Sequence, residues 1–393
     1  MNIYIYNCSN TFNYGSMMMG ENFIYYFNKV TATKNNYYVE TTDNQNIDRL
    51  IYATGINSIY AVAMNALFEQ GANKYNYILA YFGVQKVIAN LASNIDLVIV
   101  LGGDDFTEDY GWKGPLLNAM KFNILKREGM KIVMLGQTMG PYHSFRIHVM
   151  KKLLGKIDKI VVRDSITYNY LKKNNLKNIS ITDDFALLPL PKQQFKERTK
   201  MYIMYCPSEL IYRYSKEGKR EDWIDFNLFM INKLMSKYID KKLVLLAHVI
   251  KPESVDDRII VNELYHLVED KYKDRIIIEN NEMYPYCVRN YIQQSLFTIS
   301  SRMHPIISSI QCEIPIIALS YSNKYWGIIG ERYELGDYII DVRYSSYNQM
   351  KKQFVMLLGK IDNEYEKIQE KMKNKNNLAT KRIEETLEEI KQL

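Results

Sequence analysis

The residues best suited to chemistry lie in one short stretch of the chain, Ser300-Ser301-Arg302-Met303-His304. The stretch follows an apolar run and opens a predicted helix. Arg302 offers a planar fork of donors that matches phosphate or carboxylate. His304 can donate a proton or bind an anion, and the start of a helix adds partial positive charge. The three effects favour one ligand class, a small dianion.

The alternative reading of this stretch is structural. Ser300 or Ser301 can cap the helix, which leaves Arg302 as a surface residue. Tyr321 and Lys324 follow the next predicted strand, so we expect Lys324 to reach the same pocket. His248 ends another predicted strand and is included among the substrate-binding candidates, although a lone histidine is more often a hydrogen-bonded structural residue.

A second group of candidates lies in the first half of the chain, in Gly102-Gly103-Asp104-Asp105. The two glycines directly follow an apolar run, where they allow a sharp turn and close approach of a ligand. Asp104 and Asp105 are expected to be accessible to solvent, and could bind sugar hydroxyls, bind a metal or act as a base. The structural alternative is a helix N-cap.

Three further loops follow predicted strands and carry polar residues. The first can present backbone N–H groups to an anion or sugar at a helix start, or form only a tight turn. The second is expected to direct an amide and a hydroxyl into the site, with a structural turn as the alternative. The arginine of the third could face the ligand or pair with a carboxylate. These candidates are Asn13, Gly15, Ser16, Gln137, Thr138 and Arg163.

Composition excludes several classes of protein. The chain has 393 residues, 47% of them hydrophobic and 24% charged, which predicts a globular protein of two domains, with three as the alternative. The net charge of +7 is interspersed, which gives little support to nucleic-acid binding but is compatible with phosphorylated substrates or an anionic membrane. The four cysteines form no C-x-x-C pair, so we expect neither a zinc site nor a redox dithiol. No metal is assigned to the anion site, because an arginine can neutralise an anion without one.

The N-terminal residues read directly into a strand, without a basic segment followed by a long apolar one. No apolar run approaches the roughly 20 residues of a membrane-spanning helix. We therefore expect a cytoplasmic protein, with peripheral association at the membrane as an open alternative.

The elements that must position these residues alternate along the chain. Short apolar runs, such as Leu97–Leu101, are separated by longer amphipathic ones, which is typical of parallel sheets covered by helices on both faces. Helices are predicted at Ser58–Gln70 and Tyr75–Ala92, among others. A proline-containing and then polar segment, Leu187–Lys200, reads as a linker. The pattern predicts an α/β protein with two Rossmann-like, doubly wound domains facing across a cleft.

The predicted boundaries are an N-terminal domain over residues 1–190, which is expected to bind an acceptor, and a C-terminal domain over residues 200–345, which is expected to bind the anion. Residues 346–393 are rich in Lys and Glu and are predicted to form a helical tail. Part of this tail is expected to pack back on the first domain.

The motifs occur in an order that resembles one known family. From about residue 10 to 335 the chain carries Asn13-Tyr14-Gly15, Gly102-Gly103-Asp104, residues 136–141 (GQTMGP), residues 163–165 (RDS), Ser301-Arg302-Met303-His304 and residues 321–324 (YSNK). This ordered set resembles the polysaccharide pyruvyl transferase family, which has a GT-B-like architecture. The chain departs from the usual pattern at Ala247-His248, where an apolar residue and proline would normally precede the histidine.

The resemblance implies transfer of a pyruvyl group from phosphoenolpyruvate to two hydroxyls of a sugar, as a cyclic ketal. It implies no cofactor, since phosphoenolpyruvate is a substrate. The family's arginine and histidine carry over to Arg302 and His304, and Asp104 or Asp105 is then the candidate base. The implied partners are phosphoenolpyruvate and a glycan or sugar-precursor acceptor. Two alternatives stay open: a GT-B glycosyltransferase that uses a nucleotide sugar, and a non-catalytic sugar- or anion-binding protein.

Overall fold

The computed structural model describes residues 1–63, 74–83, 94–194 and 198–393. The chain divides into two compact units. The N-terminal domain consists of residues 1–11, 19–185 and 379–393, and the C-terminal domain of residues 12–18 and 186–378. Each domain is therefore built from segments that are distant in sequence.

The N-terminal domain is organised around a seven-stranded parallel sheet with the order β3-β2-β1-β4-β5-β6-β7. Its strands are β1 (Asn2–Tyr6), β2 (Asn36–Val39), β3 (Ile59–Ala61), β4 (Leu97–Leu101), β5 (Lys131–Gln137), β6 (Lys159–Val162) and β7 (Ile179–Ile181). All five residues of β4 are buried, because helices cover both faces of the sheet. The prediction of central strands from runs that are apolar on both faces is confirmed.

Helices lie between consecutive strands of this sheet, as parallel pairing requires. They are α1 (Tyr14–Thr31), α2 (Asn44–Thr54), α3 (Lys74–Tyr81), α4 (Lys113–Arg127), α5 (Arg146–Leu154) and α6 (Ser165–Lys173). The first turn of α1 lies in the segment 12–18 and so belongs to the C-terminal domain.

The C-terminal domain has a six-stranded parallel sheet with the order β10-β9-β8-β11-β12-β13. The strands are β8 (Tyr202–Cys206), β9 (Lys242–Leu246), β10 (Ile276–Glu279), β11 (Ser295–Ser300), β12 (Ile316–Ser320) and β13 (Ile339–Asp341). The helices are α7 (Arg220–Lys237), α8 (Arg258–Leu267), α9 (Asp270–Lys273), α10 (Pro285–Gln293), α11 (Met303–Gln311) and α12 (Asn323–Tyr325), followed by a π-helical turn, Trp326–Arg332.

The tail is a long helix, α13 (Tyr347–Lys391), with a kink at Glu364. Its last part, residues 379–393, clusters with the N-terminal domain, and its earlier part with the C-terminal domain. Within the N-terminal domain, Ile383, Leu387 and Ile390 are fully buried. The expectation that part of the tail packs on the first domain is confirmed, because a buried apolar stripe runs along this end of the helix.

Two sequence predictions fail in the first domain. Strand β2 and helix α2 were not predicted, because Asn36–Val39 is rich in tyrosine and polar residues and lacks a clear apolar run. The predicted helix Ser58–Gln70 is wrong at its start, where residues 59–61 form β3. Residues 62 and 63 are not helical either, and the remaining parts of the two predictions, residues 64–70 and 84–92, lie outside the described residues.

The predicted linker does not behave as a free tether over its described part. Leu188 and Leu190 are buried in the C-terminal domain. The buried guanidinium of Arg289 donates to the carbonyl oxygens of Ala186 and Leu188. The chain therefore joins the second domain earlier than its proline-rich, polar sequence suggests.

Candidate functional site

The turn between β11 and α11 is shaped by a serine at the end of the strand. The hydroxyl of Ser300 accepts a hydrogen bond from the backbone N–H of Arg302 at 2.9 Å and donates to the carbonyl of the same residue at 2.8 Å. Arg302 itself is the N-cap position of α11, and no described side chain caps the helix. The expectation that Ser300 or Ser301 caps α11 is therefore wrong, and the helix start stays available to an anion.

Arg302 is held by a buried carboxylate. Its Nε lies 3.0 Å from Oδ2 of Asp257, and its Nη2 lies 2.7 Å from Oδ1. Nη2 also donates to the carbonyl of Val255 at 3.1 Å. Burial is the largest single influence and lowers the pKa of Arg302, but the charge of Asp257, its hydrogen bonds to the guanidinium and the nearby tyrosines together outweigh burial and raise that pKa above its ordinary value. The guanidinium is therefore permanently charged and fixed in orientation.

The outer side of this guanidinium faces away from Asp257. The side chain of Arg302 is 15% exposed, whereas that of Asp257 is completely buried. Within the described residues, the hydrogen bonds of the guanidinium use Nε and Nη2, and Nη1 makes none. Arg302 is thus anchored on one edge and can offer a donor on the other.

Asp257 also organises the segment that carries His248. Its carboxylate accepts hydrogen bonds from the backbone N–H groups of Val249 at 3.0 Å and Glu209 at 3.4 Å. Its own N–H donates to the carbonyl of Val249 at 2.8 Å. One carboxylate therefore joins the loops after β8 and β9 to Arg302 on the loop after β11.

His248 lies inside this arrangement. Its side chain is buried, and its ring meets that of Tyr14 edge to face, with centroids 5.5 Å apart. Burial lowers the pKa of His248 well below its ordinary value, and the positive charges of His304 and Arg302 act in the same direction. Its imidazole is therefore neutral near neutral pH and can accept or donate a hydrogen bond, but cannot supply a charge.

His304 lies against the start of α1. A Cβ added at Gly15 would stand 2.1 Å from Nδ1 of His304, so only glycine lets the ring pack over this backbone. Asn13 lies in an antiparallel bridge with Val249, and its side chain accepts from the N–H of Gly15 at 3.2 Å. Ser16 is half-buried in the same turn. The segment 12–18 thus brings Asn13 and Gly15 to the same site as His248 and His304.

A tyrosine cluster lies beside this site, after β12. Tyr321 stacks on Tyr214 with centroids 5.2 Å apart, and Lys324 donates to the hydroxyl of Tyr321 at 3.2 Å. Tyr325 is fully buried and donates to the carbonyl of Ser301 at 3.0 Å. The charge of Arg302 is coupled electrostatically to Tyr321 and Tyr325. Lys324, which was expected to reach the pocket, donates to Tyr321 in this cluster, and Tyr325 is the residue that contacts the Ser301-Arg302 loop directly.

The candidates of the N-terminal domain form a separate group at the ends of β1, β2 and β4. Asp105 is exposed and accepts from the side-chain amide of Asn7 at 2.7 Å, and the backbone N–H of Asn7 contacts Glu40 at 3.4 Å. Asp104 is half-buried and accepts from the hydroxyl of Tyr110 at 2.6 Å. Neither aspartate caps a helix, since α4 begins only at Lys113.

The glycines of this loop permit close packing. A Cβ at Gly102 would lie 2.0 Å from the carbonyl oxygen of Gly136, and one at Gly103 would lie 2.4 Å from Oδ2 of Asp105. Burial raises the pKa of Glu40 to about 7, and the charge of Asp105 contributes to that rise. Glu40 and Asp105 are therefore two neighbouring carboxyl groups in unequal environments.

Gln137, Thr138 and Arg163 are buried and serve as internal partners. Gln137 donates to the carbonyls of Val100 and Leu101 at 2.8 Å. The hydroxyl of Thr138 donates to Asp164 at 3.0 Å and accepts from Nε of Arg163 at 3.1 Å. The expectation that Gln137 points into the site is wrong, because it secures the end of β4.

Arg163 was predicted either to face the ligand or to pair with a carboxylate, and the structure shows the pairing. Its guanidinium is 2% exposed and forms an ion pair with Asp184 at 2.6 Å. Asp164 accepts from the N–H of Thr167 at 2.7 Å and so caps α6. The Arg163-Asp164-Ser165 motif therefore positions the loops after β5 and β6.

The sequence predictions missed Asp257 and Glu40 as site residues. Asp256-Asp257 follows the loop after β9 and so had a positional signal, but nothing local distinguishes the buried aspartate from its neighbour, which pairs with Arg258. Glu40 directly follows a strand that was not predicted. Among the described residues, no cluster of three or more His, Cys, Asp or Glu side chains could hold a metal ion.

Comparison with solved structures shows that the chain has the two-domain GT-B fold. UDP-GlcNAc 2-epimerase from Neisseria meningitidis, bound to UDP-GlcNAc, has a TM-score of 0.60 at 13% identity, and the match covers 97% of this chain and 99% of that one. MnaA from S. aureus, in a structure with UDP, has a TM-score of 0.58 at 11% identity, with 95% and 90% covered. UDP-glucose: anthocyanidin 3-O-glucosyltransferase, in complex with UDP, has a TM-score of 0.56 at 9% identity, with 97% and 94% covered.

At these identities the solved structures establish the fold alone. None of the helices in the described parts of the chain combines the length and the apolar character that crossing a bilayer requires. The family assignment comes from the sequence, whose residues 13–323 match the model of polysaccharide pyruvyl transferases. That match runs from the residue before α1 to the start of α12 and includes all the candidate residues except Lys324, and so this chain belongs to the polysaccharide pyruvyl transferase family.

Proposed function

We propose that this protein transfers the pyruvyl group of phosphoenolpyruvate to a sugar of a surface polysaccharide or its precursor, as a cyclic ketal. The observation that carries the proposal is the anchored guanidinium of Arg302 at the uncapped start of α11. A permanently charged fork, a helix N-terminus and a neighbouring histidine suit a donor with both a phosphate and a carboxylate. No cofactor is part of the proposal.

In the proposed mechanism, Arg302 and the first N–H groups of α11 bind the anionic groups of phosphoenolpyruvate, with Lys324 assisting. His304 protonates the methylene carbon, which becomes a methyl group and leaves the central carbon electrophilic. A sugar hydroxyl adds to that carbon and loses its proton to a base. Phosphate then departs with the electrons of its C–O bond, and a second hydroxyl adds and loses its proton, which closes the ketal.

Asp104 and Asp105 are the proposed groups for the acceptor, as bases or as hydrogen-bond acceptors for its hydroxyls. Preorganised positive charge at Arg302 would stabilise the departing phosphate without a metal ion. We propose a cytoplasmic reaction, with the acceptor either nucleotide-linked or carried on a lipid at the membrane.

The test is mass spectrometry of candidate glycans incubated with phosphoenolpyruvate, in which wild-type protein should add the mass of one pyruvyl ketal. Arg302→Ala and His304→Ala should each abolish the product. Arg275→Ala is the matched control, because Arg275 donates to carbonyls at the end of α7, including that of Met235 at 2.7 Å, and precedes β10 at the opposite edge of the sheet. Full activity in Arg302→Ala or His304→Ala would contradict the proposal.

A second candidate is a glycosyltransferase or related enzyme that uses a nucleotide sugar. It is favoured by the solved structures of the same fold, whose ligands are UDP and UDP-GlcNAc. A thermal-shift comparison of phosphoenolpyruvate with a panel of nucleotide sugars separates the two. Stabilisation by a nucleotide sugar and none by phosphoenolpyruvate would favour this candidate, and binding without turnover would favour a non-catalytic protein.

A further inference from the structure

A cavity of about 490 Å³ opens on the N-terminal domain beside the loop between β4 and α4. Its volume falls in the range of about 300–1,000 Å³ that is usual for small-molecule sites. The cavity shares one residue, Asp105, with the Gly102–Asp105 motif. The lining residues that carry the argument are Asp105, Thr107, Tyr110, Trp112, Lys113 and Asn118.

Two large aromatic side chains on this wall are exposed to solvent. Tyr110 is 51% exposed and Trp112 is 44% exposed, although burial of such rings is favourable. The other two tryptophans differ, since Trp223 is fully buried and Trp326 is half-buried. The flat face of an exposed ring can stack on the C–H face of a pyranose, which is apolar, while the hydroxyls of the sugar point outward.

Neighbouring charges hold these rings in place. Nζ of Lys113 lies 5.8 Å from the ring centroid of Trp112, and Cζ of Arg146 lies 5.9 Å from it. Arg146 is fixed in turn by an ion pair with Glu108 at 2.6 Å. The hydroxyl of Tyr110 donates to Asp104 at 2.6 Å, which orients its ring. The aromatic wall is therefore positioned before any ligand arrives.

The polar groups on the same wall suit hydroxyls rather than phosphates. Asp105 supplies carboxylate oxygens and Asn118 supplies an amide, both of which pair well with vicinal diols. Glu108 is neutralised by Arg146, and the lining residues Asp105 and Lys113 balance one another, so the wall offers no excess of positive charge to a dianionic ligand. A neutral sugar ring satisfies both the aromatic faces and the polar groups.

We propose that this cavity binds one pyranose residue of the acceptor glycan, by stacking on Trp112 and Tyr110 and by hydrogen bonds to Asp105 and Asn118. The inference rests on the proposed function for the identity of the acceptor. The binding itself does not depend on phosphoenolpyruvate or on Arg302.

The first test measures binding of neutral hexoses, N-acetylhexosamines and their oligosaccharides by isothermal titration calorimetry and saturation-transfer-difference NMR, without phosphoenolpyruvate. Wild-type protein should bind at least one saccharide, with the sugar C–H protons showing the strongest transfer. Trp112→Ala and Tyr110→Ala should weaken binding at least tenfold, and Trp112→Phe, which keeps an aromatic face, should retain most of it. Tyr52→Ala is the control, because Tyr52 is 47% exposed on α2 of the same domain.

The second test separates this inference from the proposed function. If pyruvyl transfer is observed, Trp112→Ala should raise the KM for the acceptor at least tenfold and leave the stabilisation by phosphoenolpyruvate within twofold of wild type. Saccharide binding without any pyruvyl transfer would defeat the proposed function and leave the inference intact. The inference is overturned if no saccharide binds the wild type, or if Trp112→Ala, with an unchanged Tm, binds as well as the wild type.

Discussion

A single buried carboxylate, Asp257, positions the charged group of the proposed donor site. It pairs with Arg302 and accepts from the backbone of Val249, beside His248. Removing one partner of a buried pair leaves the other charge uncompensated, which is more costly than the pair itself is worth. The effect of Asp257 on the reaction would therefore act through the orientation of Arg302.

Asp257→Asn should lower the free energy of unfolding by about 3–5 kcal/mol and raise the KM for phosphoenolpyruvate at least tenfold. The adjacent Asp256 is the matched control. It pairs with Arg258, whose side chain is 42% exposed, so Asp256→Asn should cost only about 1 kcal/mol. Urea denaturation and steady-state kinetics measure the two effects. Equal effects of the two substitutions would show that Arg302 does not need its buried partner.

The raised pKa of Glu40 predicts that the stability of the protein depends on pH. Burial raises its pKa from 4.5 to about 7 in the folded protein, so the proton is retained on folding. Below pH 4.5 the group is protonated in both states and costs nothing. As pH rises from 4.5 to 7, the unfolded chain loses this proton first, and stability falls by an amount on the order of 1–3 kcal/mol, then levels off.

Glu40→Gln removes this titration. The variant should therefore gain stability relative to wild type between pH 4.5 and pH 8, as measured by urea denaturation at several pH values. A constant difference between Glu40→Gln and wild type across this range would mean that the carboxyl of Glu40 titrates normally.

At the scale of elements, the ends of β4 and β5 approach closely through glycine. A Cβ at Gly102 would lie 2.0 Å from the carbonyl oxygen of Gly136, a backbone atom that cannot move aside without displacing β5. Gly136 has φ +71, a conformation that favours glycine. These two glycines set the loop that carries Asp104 and Asp105.

Gly102→Ala should lower the free energy of unfolding by about 2 kcal/mol or more, because the clash involves backbone on both sides. Gly359→Ala is the matched control on α13, where an added Cβ meets nothing within 4 Å. That substitution should stabilise the protein by about 0.5–1 kcal/mol, since alanine favours helix. Thermal unfolding of both variants measures the effects, and an equal response to the two would rule out the steric explanation.

At the scale of the whole molecule, two segments belong to a different domain from the residues that flank them in sequence. Residues 12–18 join the C-terminal domain, and residues 379–393 join the N-terminal domain. Within the latter, Arg382 pairs with Asp183, and Thr386 donates to Thr182 at 3.0 Å. The last turns of α13 are thus part of the core of the first domain.

Leucines on α13 test this arrangement. Leu387 is fully buried, whereas Leu378, nine positions earlier in the printed sequence, is 52% exposed. Leu387→Ala should cost about 2–4 kcal/mol of stability, and Leu378→Ala should change it by no more than about 0.5 kcal/mol. Urea denaturation, followed by circular dichroism, measures both. Similar costs at the two positions would show that the end of α13 does not contribute to a core.

The sequence by itself determined the strands that are apolar on both faces, such as Leu97–Leu101, and hence the parallel α/β class. It also placed Arg302 and His304 at a strand-to-helix turn. These features are local, because they depend on periodicity and on the residues that end a strand. The strands with mixed, tyrosine-rich sequence were not predicted, because they lack such a local apolar pattern.

Only the tertiary structure decided which side chains meet. Asp257 lies 45 positions before Arg302, and Gly15 meets His304 from the other end of the chain. Gln137 and Arg163 became buried partners, while Trp112 and Tyr110, which no motif marks, came to line a cavity. The physical reason is that the order of the strands in the sheet decides which loops meet at the carboxyl ends of the strands. That strand order depends on contacts between distant segments, so no single segment of the sequence predicts it.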